Sequence, residues 1–174
     1  MTEPSPETRF KQWLEEYGGT VLKVARAYTL KAEDCQDLAQ EILFQIWRSL
    51  PRFQGRSSAS TWVYRVALNT ALGWRRKEGR RWARQQPLLE PEELPDPVSS
   101  SSGQLDQREV VERLYAAIRQ LPKADAALVL LYLDDLSYRE IAEVLGISES
   151  NVGVKLNRAK KALAELMKEV ANEP

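Results

Sequence analysis

One face of a predicted helix near the carboxyl end of the chain carries side chains that could bind DNA. At about 100° per residue, the residues that fall together on this face are Ser150, Asn151, Val154, Arg158 and Lys161. An Asn amide can pair with the edge of adenine, an exposed methyl group can contact thymine, and basic side chains can reach phosphates. We therefore predict that Asn151 and Val154 contact bases.

A helix-turn-helix pattern would position that face. Ser137 and Glu140 have the spacing of a capping box, which begins a short helix. Gly146 can adopt the positive φ that ends this helix, and Ser148 can cap the longer basic helix that follows. These features predict a helix-turn-helix, although a plain helical hairpin has the same spacing. The complete candidate set for this DNA-binding surface is Arg139, Ser148, Ser150, Asn151, Val154, Lys155, Arg158 and Lys161.

A second candidate surface lies on a helix predicted over about residues 33–50. Its apolar residues fall in one arc, and charged and amide residues occupy the other. Phe44 lies in the middle of the polar arc and Trp47 lies at its edge. An aromatic side chain ringed by polar groups is typical of a protein-binding hot spot, whereas packing against a neighbouring segment is the alternative. The candidate residues of this surface are Asp37, Gln40, Glu41, Phe44, Trp47 and Arg48.

The composition excludes several kinds of catalysis. The chain has 174 residues, with 25 Lys+Arg, 25 Asp+Glu, no His and one Cys. A His base, a Cys–His pair, an internal disulfide and a zinc cluster are therefore excluded, and no Gly-rich phosphate loop or metal-ligand motif stands out. We expect no catalytic residue, no metal, no cofactor and no small-molecule substrate. Because neither a membrane-spanning run nor a signal segment is visible, we expect a cytoplasmic protein that is not inserted in a membrane.

Proline, serine and glycine divide the chain into two units. These residues are concentrated between about 85 and 104, where they oppose regular structure. We predict an all-α fold of two small helical domains, at 1–84 and 105–174, joined by a flexible linker at 85–104. The net charge is zero, but a basic run at 75–84 precedes an acidic stretch. The local electrostatic field at the basic run therefore favours binding of nucleic acid, although the net charge of the chain does not.

Apolar spacing predicts further helices in both units. The first is expected over about residues 10–28, with a kink or break at Gly18 and Gly19. Ser60 or Thr61 is expected to cap another helix. The predicted buried stripe of that helix is Val63, Val66, Ala67, Thr70 and Trp74. In the second unit, the spacing of Val110, Leu114, Ile118 and Leu121 predicts a helix, and Pro122 is expected to open the next one.

Three segments of the sequence resemble a known family. They are DLAQEILFQIWRSLPRF, TWVYRVALNTALGWRRK and LPKADAALVLLYLDDLSYREIAEVLGISESNVGVKLNRAKKAL. Together they are similar to small bacterial RNA polymerase sigma factors of the extracytoplasmic-function (ECF) group, over roughly residues 8–80 and 108–168 and in the family's order. The resemblance implies two helical domains, conventionally called regions 2 and 4.

The resemblance also implies roles for the candidate surfaces. The motif Asp37-Leu38-x-Gln40-Glu41 matches the surface that docks on the clamp helices of the polymerase β′ subunit. The helix-turn-helix matches the part that recognises the −35 promoter element and lies near the β flap. The loop from Phe53 to Thr61 and the helix after it match the part that recognises and opens the −10 element. The candidate −10 residues are Gln54, Arg56, Ser57, Ser58, Trp62, Tyr64, Arg65, Asn69, Arg75, Arg76 and Lys77.

The sequence departs from the family pattern at two places. Ala59 stands where family members often have a large apolar residue, and Gly153 replaces a basic residue near the start of the recognition helix. Ala59 could change the shape of the pocket in which the family holds an unstacked base of the −10 element. Gly153 could change the affinity for the −35 element. The implied partners are core RNA polymerase, promoter DNA and an anti-sigma factor. Two alternatives are a helix-turn-helix regulator that acts without polymerase and a helical adaptor that binds only protein.

Overall fold

The structure is a computed structural model that describes residues 4–84 and 102–172 of the chain. Within those two ranges the chain forms α-helices joined by short turns, and no strand is found there. The first unit (residues 4–84) contains α1 (Pro6–Tyr28), α2 (Ala32–Ser49), a 3-10 turn (Leu50–Arg52) and α3 (Ala59–Arg84). The all-α prediction is confirmed in the described ranges.

The second unit (residues 102–172) contains four helices. They are α4 (Ser102–Gln120), α5 (Lys123–Leu133), α6 (Tyr138–Leu145) and α7 (Glu149–Asn172). Because α4 begins at Ser102, residues 102–104 are helical, although the sequence assigned them to the linker. The rest of the predicted linker, at 85–101, lies outside the described residues.

Helix α1 is continuous, so the predicted kink or break at Gly18 and Gly19 is wrong. Each glycine in a helix costs about 1 kcal/mol relative to Ala, which favours a break when the segment is considered alone. In the fold, the following turns bury Val21, Val24 and Ala25 almost completely. Burial of these side chains against neighbouring helices offsets the low propensity, because tertiary packing supplies most helix stability.

Helix α3 begins one residue after its cap, which is Ser58 and not Ser60 or Thr61. The Ser58 hydroxyl accepts the backbone N–H of Thr61 at 3.1 Å. The buried face also differs from the predicted stripe. Tyr64, Leu68 and Ala71 are buried, whereas Thr70 and Trp74 are only partly buried. The reason is that α3 packs against α1 and α2 on one side and against α6 of the second unit on another.

The helix predicted from Val110, Leu114 and Ile118 is present as α4. Val110 is 55% exposed, whereas Ile118 and Leu121 are buried. Tyr115 and Ala117 complete the buried side. Among the α4 side chains that the structure describes, the buried ones therefore lie in the second half of the helix. Pro122 caps α5, as predicted from its position.

The two units pack against each other. Helix α1 contacts α4 and α5, and α3 contacts α6. The buried apolar side chains of both units form one continuous core that runs from Val21 in α1 to Ala159 in α7. The sequence pattern predicted two units but no contact between them, so this packing is a finding of the tertiary structure.

Candidate protein and nucleic-acid interfaces

The helix-turn-helix has the local geometry that the sequence predicted. The Ser137 hydroxyl accepts the backbone N–H of Glu140 at 3.2 Å, and the Glu140 carboxylate accepts the backbone N–H of Ser137 at 2.8 Å. These hydrogen bonds hold the pKa of Glu140 below its ordinary value because they favour the ionised carboxylate. Gly146 ends α6 with φ of 68°, in the left-handed region that favours glycine.

Helix α7 has a fully buried side and an exposed side. Val152, Leu156 and Ala159 are at most 1% exposed and fix the rotation of the helix on the second unit. The exposed side carries a set that we call the α7 face: Ser150, Asn151, Val154, Arg158 and Lys161. Val154 is 63% exposed, so the predicted apolar position on this polar face does reach solvent.

The remaining candidates of the −35 set flank the α7 face. Arg139 is exposed near the start of α6, and Lys155 is half-buried. Ser148 caps α7, since its hydroxyl accepts the backbone N–H of Asn151 at 3.2 Å. That bond orients the first turn of α7, where Asn151 lies. Ser148 thus positions its neighbour as well as presenting a hydroxyl of its own.

A feature at the rear of the helix-turn-helix was not predicted. The Lys160 ammonium lies 3.7 Å from the centre of the Tyr132 ring, in a cation–π contact that joins α7 to α5. Beside it, an open groove of about 390 Å³ lies at the turn between α5 and α6. Its lining residues are Tyr132, Leu133, Asp135, Leu136, Ser137 and Tyr138. In the sequence, the two aromatic residues Tyr132 and Tyr138 could have indicated this groove, but helical periodicity alone did not place them on a common surface.

The candidate protein-binding residues share one side of α2. We call this set the α2 face: Asp37, Gln40, Glu41, Phe44, Trp47 and Arg48. Phe44 is 55% exposed, so packing against a neighbouring segment does not account for it. Trp47 is 39% exposed and meets Phe10 of α1 edge-on, with ring centres 5.2 Å apart. Glu41 is half-buried and accepts a hydrogen bond from Gln45 at 2.8 Å.

An aromatic cluster supports the loop before α3. Trp13 of α1 lies 5.0 Å from Phe53 and 5.5 Å from Trp62, and the last two rings are also 5.5 Å apart. The three rings meet edge to face, which is the favourable geometry for aromatic pairs. Phe53 and Trp62 flank the loop on either side, and Gly55 turns it with φ of 66°. The helical spacing of the first segment gave no sign of this role for Trp13.

The candidate −10 residues are divided between exposed and covered positions. We call the whole candidate set the α3 surface: Gln54, Arg56, Ser57, Ser58, Trp62, Tyr64, Arg65, Asn69, Arg75, Arg76 and Lys77. In the loop, Gln54, Arg56 and Ser58 are exposed and Ser57 is half-buried. On α3, the exposed members are Arg65, Asn69, Arg76 and Lys77, and Trp62 is half-buried. The side chain of Arg75 lies outside the described residues.

Tyr64 lies where the sequence did not place it. Its side chain is 2% exposed, and its hydroxyl donates a hydrogen bond to Asp134 of the second unit. Burial and the neighbouring carboxylate raise the pKa of Tyr64 far above its ordinary value. Arg65 and Asn69 are exposed, whereas the second unit covers the side of α3 on which Tyr64 lies.

The described residues offer surfaces rather than an enclosed site. No group of His, Cys, Asp and Glu that could hold a metal ion is found among them. Nor does any helix in the described ranges have the length and apolarity needed to cross a membrane. What the fold presents is an aromatic face on α2, a loop and helix with exposed cations, and a helix-turn-helix with a polar and basic face.

Two family descriptions match the chain in consecutive ranges. Sigma-70 region 2 matches residues 4–81, and Sigma-70 region 4 matches residues 111–163. The first range contains the α2 face and the α3 surface, and the second contains α5, α6 and the α7 face. The order of the two regions is the order expected from the sequence resemblance.

Curated relatives extend over nearly the whole chain. RNA polymerase sigma factor YlaC of Bacillus subtilis is 30% identical over 165 residues, covering 94% of this chain and 92% of the relative. The ECF RNA polymerase sigma-E factor of Escherichia coli K12 is 30% identical over 141 residues, covering 75% and 72%. RNA polymerase sigma-H factor of Pseudomonas aeruginosa is 28% identical over 165 residues, covering 91% and 86%.

Two solved structures share the fold. One is the sigma factor RpoE in complex with the anti-sigma factor NepR from Bartonella quintana, with a TM-score of 0.71, 22% identity and coverage of 92% of this chain and 97% of that chain. The other is CnrH in complex with the cytosolic domain of CnrY, with a TM-score of 0.65, 19% identity and coverage of 94% and 89%. With both regions present and relatives matched along most of their length, the chain belongs to the ECF RNA polymerase sigma factors, the initiation factors that act with RNA polymerase.

Proposed function

We propose that three surfaces of this sigma factor divide the work of initiation. The α2 face binds core polymerase at its β′ clamp helices, the α3 surface recognises and opens the −10 element, and the α7 face recognises the −35 element. The domain division that goes with this assignment is 1–84, a linker at 85–101, and 102–174. The single observation that carries the proposal is the arrangement of α7, which buries its apolar side in the second unit and exposes the polar and basic α7 face on the opposite side.

Exposure of an aromatic ring supports the polymerase assignment of the α2 face. Phe44 is 55% exposed and Trp47 on the same side of α2 is 39% exposed, so two large aromatic rings lie close together in solvent. Charged and amide side chains surround it, which matches the polar rim of a protein-binding patch. Because Phe44 and Trp47 lie on one side of α2, a single helix of a partner could cover both rings.

A combination of aromatic support and basic residues supports the −10 assignment. Binding of an opened strand needs a platform on which bases stack and cations along the backbone. The loop supplies exposed Gln54 and Arg56 over the cluster of Trp13, Phe53 and Trp62. Arg76 and Lys77 continue the basic track along α3. Ser58 caps α3 and so holds the loop at the start of that track.

Side-chain chemistry supports the −35 assignment of the α7 face. A helix-turn-helix places the start of its second helix against base edges in the major groove. Ser150 and Asn151 occupy that start, and Arg158 and Lys161 lie about two and three turns further on, where phosphates would be met. A Cβ added at Gly153 would lie 3.6 Å from Tyr138 Cε2, which is an ordinary van der Waals contact, so an alanine would fit at this departure from the family pattern.

We also infer the remaining properties of the chain. It is not itself an enzyme, and the chemistry of RNA synthesis is that of the polymerase. It acts in the cytoplasm, where polymerase and DNA are found. Two similar structures contain an anti-sigma factor or a partner's cytosolic domain, which supports an anti-sigma factor as the regulatory partner of this chain.

Retention on core polymerase tests the assignment of the α2 face. Phe44→Ala should weaken binding to purified core enzyme by roughly 30-fold, as expected for a hot-spot side chain worth about 2 kcal/mol. Leu22→Ala is the matched control, since Leu22 is 58% exposed on α1 and belongs to no proposed surface. Equal binding by both variants would remove polymerase docking from the α2 face.

In vitro transcription tests the function as a whole. Core enzyme with this chain should start RNA at sites that core enzyme alone does not use, on templates drawn from a genomic library. A regulator that acts without polymerase would bind DNA but would not be retained by core enzyme. A protein-only adaptor would show no salt-dependent DNA binding, whereas phosphate contacts predict a log–log salt slope of about −0.9 per contact.

A further inference from the structure

An exposed aromatic ring at the start of α6 lies beside the second turn of α7. Tyr138 is the first residue of α6, and 45% of its surface is exposed. The ring atom that faces Gly153 is Cε2, which lies 3.6 Å from the position of a Cβ on that glycine. Because Cε2 is bonded to the carbon that bears the hydroxyl, the polar end of the Tyr138 ring is the end that lies close to α7.

Gly153 itself lies at the edge of the α7 face. At about 100° per residue, it is about 60° from Ser150 around the helix axis, on the side away from Asn151. The fully buried Val152 lies about 100° beyond it, so Gly153 is between the exposed and the buried sides of α7. A basic side chain at this position, as in the family pattern, would point along the edge of the DNA-binding face. In this chain the edge has no side chain of its own at residue 153.

A cation on the same edge of α7 is directed elsewhere. Lys160 lies about two turns beyond Gly153 and about 20° from it around the helix axis. Its ammonium lies 3.7 Å from the centre of the Tyr132 ring, so its charge is held against α5. Among the described residues, the Tyr138 ring is the only neighbouring side chain within 4 Å of a Cβ on Gly153. The hydroxyl end of Tyr138 therefore lies where the missing basic side chain would begin.

The way in which a helix-turn-helix meets DNA brings this hydroxyl close to a phosphate. The second helix lies in the major groove while the first helix crosses the backbone. The groove is about 12 Å wide and a helix with its side chains is about 10–12 Å across, so the edges of the second helix face phosphates. Tyrosine hydroxyls are among the groups that bind phosphate oxygens. Arg139, the next residue after Tyr138, is exposed and already belongs to the candidate −35 set.

We propose that the Tyr138 hydroxyl donates a hydrogen bond to a phosphate of the −35 element, and that this neutral contact takes the place of the charged contact that a basic residue at position 153 would make. This inference rests on the proposed function of the α7 face and adds a residue that lies outside it. A neutral donor displaces no condensed counterion when it binds. The Tyr138 contact therefore contributes to the affinity for DNA without adding to the salt dependence of binding.

The two tyrosines of the groove between α5 and α6 allow a matched test. Tyr138→Phe removes only the hydroxyl and keeps the ring beside Gly153. Tyr132→Phe is the control, because Tyr132 lines the same groove, is 38% exposed and keeps its ring against Lys160 in the variant. Holoenzyme assembled from core polymerase and the full-length chain is titrated with promoter duplex at several salt concentrations. The titrations are repeated on duplexes with substituted −35 elements.

A phosphate contact and a base contact give different results in these titrations. We expect Tyr138→Phe to weaken binding about three- to tenfold on every duplex, as for the loss of one hydrogen bond, and to leave the log–log salt slope unchanged. Tyr132→Phe should bind as the natural chain does. Equal binding by the two variants would overturn the phosphate contact. A loss confined to one −35 sequence would also overturn it, because Tyr138 would then contact a base.

A double variant tests the exchange of a charged contact for a neutral one. Gly153→Lys combined with Tyr138→Phe should regain the lost affinity and steepen the salt slope by about 0.9, because a lysine contact releases a counterion. The helix should tolerate the change, since lysine has a higher helix propensity than glycine. A slope equal to that of the natural chain would overturn the exchange.

Two variants of the α7 face separate this inference from the proposed function. Asn151→Ala and Arg158→Ala remove side chains that the proposed function assigns to DNA, and they are titrated on the same duplexes. If these two variants weaken binding and Tyr138→Phe does not, the Tyr138 contact alone is wrong. If none of the three variants weakens binding, the assignment of the α7 face to the −35 element is wrong.

Discussion

The two proposed DNA-binding surfaces differ in what completes them. The α7 face is built from consecutive turns of one helix, and its rotation is set by Val152, Leu156 and Ala159 within the second unit. The α3 surface combines a loop, the aromatic support of Trp13 from α1, and side chains of α3, of which Tyr64 and Arg65 donate hydrogen bonds to the second unit. A surface on one helix is available whenever its unit is folded, whereas a composite surface depends on the positions of several elements.

Truncation of a buried side chain in α6 should have the largest effect, and it should distinguish the function of the α7 face from that of the first unit. Ile141 is fully buried between α6 and its neighbours, so Ile141→Ala should destabilise the second unit by about 2–5 kcal/mol. Duplex binding by the α7 face should be lost, while the α2 face keeps its affinity for core polymerase. Chemical denaturation and polymerase retention measure the two effects, and parallel loss of both functions would show that the units do not act separately.

Removal of the aromatic support should affect only the composite surface. Trp13→Ala removes a half-buried ring with three edge-to-face neighbours, which we expect to cost about 2–3 kcal/mol of folding stability. The holoenzyme should then open less promoter DNA, while its binding to duplex DNA at the upstream element should be unchanged. The permanganate reactivity of unpaired thymines measures the opening. Trp13→Phe should restore most of the opening, because a smaller ring can still contact Phe53.

Asn151 and Arg158 should separate base recognition from phosphate binding on the α7 face. Asn151→Ala should cost about 1–3 kcal/mol on the preferred upstream sequence and little on others. Arg158→Ala should weaken binding to all sequences alike and reduce the salt slope by about 1. Lys168→Ala, a change at an exposed lysine beyond the face, is the control. Holoenzyme titrations on duplexes with substituted upstream elements measure these effects, and an equal loss from Asn151→Ala on every duplex would contradict base recognition.

Substitution of the capping-box residues should have the smallest effect on the stability of the second unit, and that effect should depend on pH. Ser137→Ala should destabilise the second unit by about 1 kcal/mol at neutral pH. Because the pKa of Glu140 is lowered in the folded chain, its contribution is present above the unfolded pKa of about 4.3 and is lost as pH falls through the folded value. Denaturation of the natural chain and Glu140→Gln should therefore differ at pH 7 and converge near pH 3. A constant difference across this range would contradict the assigned role of the carboxylate.

Local patterns in the sequence predicted the parts of each surface that depend on one helix. The capping box, the positive φ of Gly146 and the exposure of Val154 follow from neighbours within a few residues, and all three are present in the structure. Exposure of Phe44 follows from the angular arithmetic of α2 in the same way. The break at Gly18 and Gly19 was wrong because propensity was judged without the burial of the turns that follow.

Helical periodicity by itself determined that this chain is all-α, which side of α7 faces away from its unit, and which side of α2 presents aromatic rings. Only the tertiary structure decided that Trp13 supports the loop before α3 and that Tyr64 bonds Asp134, 70 residues further along the chain. The physical reason is the sequence separation of the interacting residues. A helix repeats every few residues, so its buried and exposed sides can be predicted from neighbouring positions in the sequence. A contact between two units depends instead on the complementary shape and charge of surfaces that exist only after each unit has folded.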